Sequence, residues 1–257
     1  MNNMVDRMRS FRRKKVKRAG KFVLRKVSRF IARQSLIGDQ PVFDKSIFPW
    51  ISEFEGNWET IRAELDEVMK LRQAIPSFHE ISPDQQRISK GDNWKAFIFY
   101  GFGIRFDANC QRCPETVRLL SSLPNLENAW FSILSPGYQI PPHKGPTNGI
   151  IRIHLGLKIP HDRDQCRIRV GDQVLGWEEG KCIVFDDYFD HEVWNNTDEE
   201  RAVLFFDVDR PLRPLGHLVN RLMIACIKRS AYVRDAQDRM QQWEEANPIP
   251  LQSKEAV

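Results

Sequence analysis

The segment "PPHKGPTNGIIRIHLGLKIP" (residues 141–160) decides how the rest of the chain is read. From Ile151 to Lys158 its residues alternate strictly, with Ile151, Ile153, Leu155 and Leu157 on one side and Arg152, His154, Gly156 and Lys158 on the other. A period of two marks a β-strand with one buried face. A half-exposed surface strand gives the same alternation, so the neighbouring residues have to separate the two. His143 stands just before the strand in a Pro- and Gly-rich turn, and His191 follows a carboxylate-rich turn in "FDDYFDHEVWN" (185–195). Both lie at strand edges, where a rigid sheet presents loop residues to a cavity. Two neutral imidazoles hold Fe(II), Zn or Cu without choosing among them.

The alternation recurs in "RAVLFFDV" (201–208), which puts Arg201, Val203, Phe205 and Asp207 on one face. Arginine at such a place is a planar, two-pronged partner for a carboxylate. Further strand-like runs are "WKAFIFYGFG" (94–103), "AWFSIL" (129–134), "CRIRV" (166–170) and "CIVFDD" (182–187), with "PETVRLLSSL" (114–123) as a helical interruption. Many short strands separated by Gly, Pro, Asn and Asp predict a sandwich or barrel. Upstream, Trp58, Ile61, Leu65 and Met69 fall at helical spacing until Pro76 ends the pattern. After Pro211, "LGHLVNRLMIACIKRSAYV" (215–233) has helical length, with Leu215, Leu218, Val219, Leu222 and Cys226 as one stripe that packs on the body or touches a membrane. The expected organisation is an arm over 1–37, a helical lead-in over 42–93, a β domain over 94–212 and a helical tail over 213–257.

Charge is unevenly spread. Residues 1–35 hold thirteen Lys or Arg against the single acid Asp6, leaving 26 basic and 33 acidic residues elsewhere. In that arm Val16, Ala19, Val23, Val27, Phe30 and Ile31 keep helical spacing among the basic residues, a pattern suited to an anionic membrane surface. A solvated arm and a nucleic-acid contact are the alternatives, the latter disfavoured by large apolar residues such as Phe22 and Phe30. No stretch reaches the roughly 18–20 apolar residues of a membrane span, and basic residues interrupt any apolar core of a signal peptide. Five cysteines at irregular spacing indicate reduced thiols. "CQRC" (110–113) lacks a second ligand pair, and Cys113-Pro114 reads as a helix start. Together these predict a cytoplasmic protein, peripheral on the inner face of the membrane.

The runs "FSILSPGYQIPPHKGPTNGIIRIHLGLKIP", "CRIRV", "WEEGKCIVFDDYFDHEVWN" and "ERAVLFFDVDRPL" together resemble the aspartyl/asparaginyl β-hydroxylase family. Those enzymes are Fe(II)- and 2-oxoglutarate-dependent dioxygenases. The "DVDRPL" ending is similar to that of the related lipid A hydroxylases. The resemblance implies a mainly β fold, a double-stranded β-helix (jelly roll, cupin-like) with flanking helices. It implies His143 and His191 as iron ligands, and Arg201 as partner of the distal 2-oxoglutarate carboxylate, assisted by Ser132 and His154. Arg152 falls where the family meets an anionic substrate group. The third iron ligand of most such enzymes stands two residues after the first histidine; here that residue is Gly145, so water is expected in its place. Asp186, Asp187 and Asp190 are read as carboxylates that close a turn or orient an imidazole, with direct ligation as the alternative. The implied reaction is O2-dependent hydroxylation of an aliphatic C–H, in an Asp/Asn-type residue or in a membrane lipid acyl chain. The competing reading is a non-catalytic jelly-roll binding protein held on anionic membrane by its basic arm.

Overall fold

The computed structural model describes residues 26–82 and 85–246. Of the amphipathic pattern read from Val16 to Ile31, the part over residues 16–25 lies outside them; in the described part Ile31 is buried against Leu212 and Met223, with Val27 packed beside it. A helix over 26–34 (α1) leads into β1 (Val42–Phe43), then α2 (Ile51–Gly56), α3 (Trp58–Met69) and α4 (Phe78–Ile81). Next come β2 (Trp94–Gly101), β3 (Ile104–Arg105), α5 (Asp107–Arg112), α6 (Pro114–Ser121), β4 (Leu126–Leu134), β5 (Gln139–His143) and β6 (Ile150–Lys158). The chain continues through β7 (Cys166–Val170), β8 (Gln173–Gly176), β9 (Cys182–Phe185), β10 (His191–Asn195) and β11 (Arg201–Asp209) to α7 (Pro214–Lys228) and α8 (Ala231–Ala246). Among the described residues, no helix is long and apolar enough to cross a membrane.

The strands form a seven-stranded sheet, ordered β1-β9-β6-β11-β4-β2-β3, and a four-stranded sheet, ordered β5-β10-β7-β8. Alternation in the central strands decides what each face meets. Ile151, Ile153, Leu155 and Leu157 of β6, with Ala202, Leu204, Phe206 and Val208 of β11, pack against Phe54, Ile61 and Leu65 of α2 and α3 and Val117 and Leu120 of α6. The opposite face sets Trp130, Val203 and Phe205 against Ile168, Val170 and Val193 of the smaller sheet. Helix α6 begins with Pro114 in its first turn, where the missing N–H costs nothing. The N–H groups of Glu115 and Thr116 donate to Glu64 of α3, both at 2.8 Å. Four cysteines are buried and Cys226, on α7, is exposed; none is in a disulfide.

The expected jelly roll is not what these elements build. The fold is mixed α/β with two open sheets, and among the described residues no ladder joins an edge of one to an edge of the other. Closure requires continuous edge-to-edge pairing. Here the large sheet ends in two-residue strands, β1 and β3, and helices cover its outer face. The short strands were legible as strands; nothing in their alternation specifies whether their edges meet.

One ion pair ties the ends of several elements together. Asp186, after β9, and Arg210, after β11, are wholly buried and bonded to each other. Arg210 also donates to Asn148 O at 2.6 Å and Gly38 O at 2.9 Å, and Asp186 accepts from the Tyr188 N–H at 2.9 Å. Burial pushes the Asp186 carboxyl up to about 6, against the pull of Arg210. Removing one member of such a pair strands the other charge, at a cost of about 3–5 kcal/mol. Arg210→Ala should lower the urea unfolding free energy by about that amount, and Arg210→Met with Asp186→Leu should recover most of it.

Candidate active site

Strands β5 and β10 are antiparallel neighbours, and their register sets His143 opposite His191. The ring centroids are 4.1 Å apart. A register shift between His191 and Val193 turns the strand locally, as bulges beside functional sites do. His143 Nδ1 lies 2.9 Å from Pro141 O, and His191 Nδ1 lies 3.0 Å from Phe189 O. With Nδ1 donating to a carbonyl, each ring keeps its lone pair on Nε2. Burial pulls His143 down to about 4 and holds His191 well below the usual imidazole range, with the His143 charge adding to the effect. Both rings are therefore neutral at neutral pH, the form that binds a metal.

Beside this pair the structure explains Gly145. A Cβ at that position would stand 2.0 Å from Asp187 Oδ2, so the Asp187 carboxylate already fills the space a side chain there would take. The Gly145 N–H donates to Asp187 O at 2.7 Å. Asp187 Oδ2 is 2.8 Å from Arg152 Nη2, an ion-pair distance without hydrogen-bond geometry. On its other flank Arg152 donates to both Asp207 oxygens, at 2.9 and 3.1 Å. Asp207 also accepts from Asn128 at 2.9 Å. Burial raises the Asp187 carboxyl above the usual carboxylate range, opposed by Arg152. Arg152, expected to face a substrate anion, thus carries two carboxylate partners while lining the cavity described below.

The remaining expected residues come together on the cavity-facing side of β4, β6 and β11. Register pairs Val203 with Ser132 and Phe205 with His154. Ser132 Oγ accepts from Trp94 Nε1 at 3.0 Å. Arg201 is 1% exposed, yet its Nε and Nη1 have no partner; His154 is 5% exposed, and neither ring nitrogen has one. Burial pulls Arg201 down to about 10, and burial with the Arg201 charge keeps His154 neutral. Each unmatched buried donor costs about 1–3 kcal/mol, which an incoming carboxylate would offset.

Trp177 escaped the sequence reading. It is buried, its ring lies 4.7 Å from Arg201 Cζ, and it stacks with His154 at 6.1 Å. A Cβ on Gly156 would stand 2.1 Å from Glu178 O. Only a glycine lets the loop after β8 rest on β6, through Gly156 N to Lys181 O at 3.0 Å and Gly180 N to Gly156 O at 2.9 Å. A glycine interrupting a β-pattern is the signal that would have found this close approach. His79, His161 and His217 stay apart from the site; His79 meets Ser89 and His161 meets Glu199.

A cavity of about 390 Å³ opens on His143, Arg152 and Asp187, within the roughly 300–1,000 Å³ of small-molecule pockets. Its walls include Ile81, Ile88, Ile98, Phe106, Trp130 and Phe205, closed on one side by Val233 and Ala236 of α8; its polar end is His143, Arg152 and Asp187. Among the described residues no group of three or more His, Cys, Asp or Glu side chains is placed to hold a metal ion; the histidines stand as a pair.

Two imidazoles with free Nε2 atoms, next to buried cationic donors without partners, form a site for a metal ion and an organic anion. The comparison with known families agrees: a model described as aspartyl/asparaginyl beta-hydroxylase matches residues 55–211, and the chain belongs to that family. An ornithine lipid ester-linked acyl 2-hydroxylase of Rhizobium tropici is 40% identical over 208 residues, covering 81% of this chain and 74% of that protein. The aspartyl/asparaginyl beta-hydroxylase of Homo sapiens is 34% identical over 166 residues, 63% of this chain but 21% of its own length. This chain therefore spans about a fifth of that relative. Aspartate beta-hydroxylase domain-containing protein 2 of Mus musculus is 32% identical over 212 residues, 73% of this chain and 59% of its own. Membership supports a hydroxylase-type activity, with Fe(II)/2-oxoglutarate chemistry in general, and the donor set fits both groups: neutral imidazoles for a metal, an unpartnered buried guanidinium for a carboxylate.

Two measurements test this geometry. In chelator-treated protein, an NMR titration should place the His143 midpoint near 4, its ring neutral at pH 6; a midpoint near 6.5 would show that burial does not control it. Gly145→Asp should lower the melting temperature, because the new side chain collides with Asp187, and adding Asp187→Ala should recover at least half of the loss.

Proposed function

We propose that this protein is an Fe(II)- and 2-oxoglutarate-dependent dioxygenase that hydroxylates an aliphatic C–H of a membrane lipid acyl chain. The observation that carries the substrate class is the cavity, whose walls are mostly apolar and which opens on His143, Arg152 and Asp187. An extended hydrocarbon suits those walls, and the 40% identity to a lipid acyl hydroxylase supports the same substrate class. An Asp side chain needs an available cation, whereas Arg152 is already matched by Asp187 and Asp207. A purely binding role does not account for buried donors without partners in Arg201 and His154.

Each residue has a stated task. His143 and His191 hold Fe(II) through Nε2, their rings fixed by the carbonyls of Pro141 and Phe189. Arg201 neutralises the distal carboxylate of 2-oxoglutarate. His154 donates to the same group, and Ser132, whose Oγ accepts from Trp94, keeps its O–H free to donate. Trp177 covers Arg201 and excludes water, which strengthens the ion pair. Arg152, braced by its carboxylates, faces the polar end of the substrate beside the reacting carbon. With O2, the bound iron and 2-oxoglutarate supply the oxidation, releasing succinate and CO2 and placing one oxygen atom in the C–H bond.

The test is succinate formation and a one-oxygen mass increase in a lipid acyl chain, with purified protein, Fe(II) and 2-oxoglutarate. His191→Ala should abolish iron binding. Arg201→Ala should keep iron and raise the KM for 2-oxoglutarate about 30-fold, the equivalent of losing about 2 kcal/mol from a buried charge pair; an unchanged KM would remove Arg201 from the site. Ala236→Trp, which fills the apolar end, should suppress lipid hydroxylation and leave iron and 2-oxoglutarate binding intact.

A further inference from the structure

We infer that the outward face of α7 is a docking surface for an anionic lipid bilayer. Helix α7 has two distinct sides. Gly216, Asn220, Met223 and Ile224 are buried, whereas Leu215, Leu218 and Leu222 are 58%, 57% and 61% exposed. Spacings of three and four residues put these leucines on one stripe. Leu36, 63% exposed, joins them at the start of the helix, held there by its N–H to Pro211 O at 2.9 Å and by the Ser35–Leu212 bridge. The described residues expose seven large apolar side chains, and four of them gather here. Single exposed apolar residues need no explanation, but a patch does.

The surrounding charge names the occupant. Arg29 and Arg33 of α1 and Arg213, Arg221 and Arg229 around α7 are all exposed. Neither 26–38 nor 210–234 contains an Asp or Glu, and residues 1–25, which precede α1 in sequence, add ten Lys or Arg against one acid. Elsewhere the acids are in excess, so this cationic face is the exception. A second copy of the chain would set like charges against each other. Leucines that insert below a phosphate layer, ringed by arginines that pair with it, match an anionic bilayer.

The face is also wired to the site. Asn220 Nδ2 donates to Gly149 O at 2.8 Å, Thr147 Oγ1 contacts Met223 Sδ at 3.7 Å, and Asn148 Nδ2 donates to Ser28 O at 2.9 Å. Helices α1 and α7 therefore grip the loop that follows His143, whose Lys144, Gly145 and Pro146 line the cavity. Docking deepens the acyl-chain proposal, on which it rests for its purpose, by holding that loop at the source of substrate.

Flotation of the full chain with vesicles of phosphatidylcholine, with and without phosphatidylglycerol, tests it. The protein should bind only the anionic vesicles, release as salt rises, and lose about tenfold or more of its affinity in L215S/L218S/L222S, whose melting temperature and iron binding stay unchanged. Wild-type protein that fails to float would overturn the proposal, as would a triple variant that binds equally well. A wild-type dimer that the triple variant converts to monomer in sedimentation velocity would assign the face to a second copy instead. Flotation uses no turnover, and hydroxylation of detergent-dispersed lipid reads the cavity proposal alone, so the two can fail separately.

Discussion

Two opposite charges with no exposed surface, Asp186 and Arg210, hold the framework that the site depends on. Arg210 lies just past β11, the strand that opens with Arg201, and it reaches the loop at Asn148 and the segment at Gly38. Asp186 opens the turn that carries Asp187 and leads to His191. The pair thus fixes three separate stretches of chain against one another beside the turn that leads to His191. A buried ion pair is weak evidence for net stability, because desolvation offsets most of the attraction. Its value here is geometric: few other arrangements satisfy both charges without water.

Strands β6 and β11 divide the chemistry by face and by position. One face is wholly apolar and belongs to the helices. The other carries Arg201 at one end and the Arg152–Asp207 pair at the other, with Phe205 and its register partner His154 between them and Phe205 stacked on Trp130 at 3.6 Å. At a rise of about 3.3 Å per residue, Arg201 and Asp207 lie roughly 20 Å apart along their strand. An anion at the first end and a substrate at the second can therefore bind without competing for the same cation.

Alternation in 151–158 and 201–208 separated the apolar face of both central strands, which packs on the helices, from the face that carries Arg152, His154 and Arg201, and the turns around His143 and His191 marked the two imidazoles that the register sets opposite each other. These are local signals, written in consecutive residues. Sheet closure is not local, and reading a jelly roll from strand count and resemblance failed because open edges and covering helices leave no mark on alternation. The partners of Arg152 were equally hidden: Asp187 lies 35 residues away and Asp207 lies 55 away, meeting it only through sheet register. Trp177 was missed because its place depends on a loop crossing a glycine.

The distribution of thiols has a practical consequence for watching the protein at work. Cys110, Cys113, Cys166 and Cys182 are buried, and burial pushes each thiol up, Cys110 to about 11, so they offer almost no thiolate to an alkylating reagent at neutral pH. Cys226 is exposed, one helical turn beyond Leu222 on α7. An environment-sensitive dye carried by a maleimide would attach there selectively, without any engineered cysteine. Its emission would report the polarity around α7 in real time, turning an unmodified residue into an optical sensor on that helix.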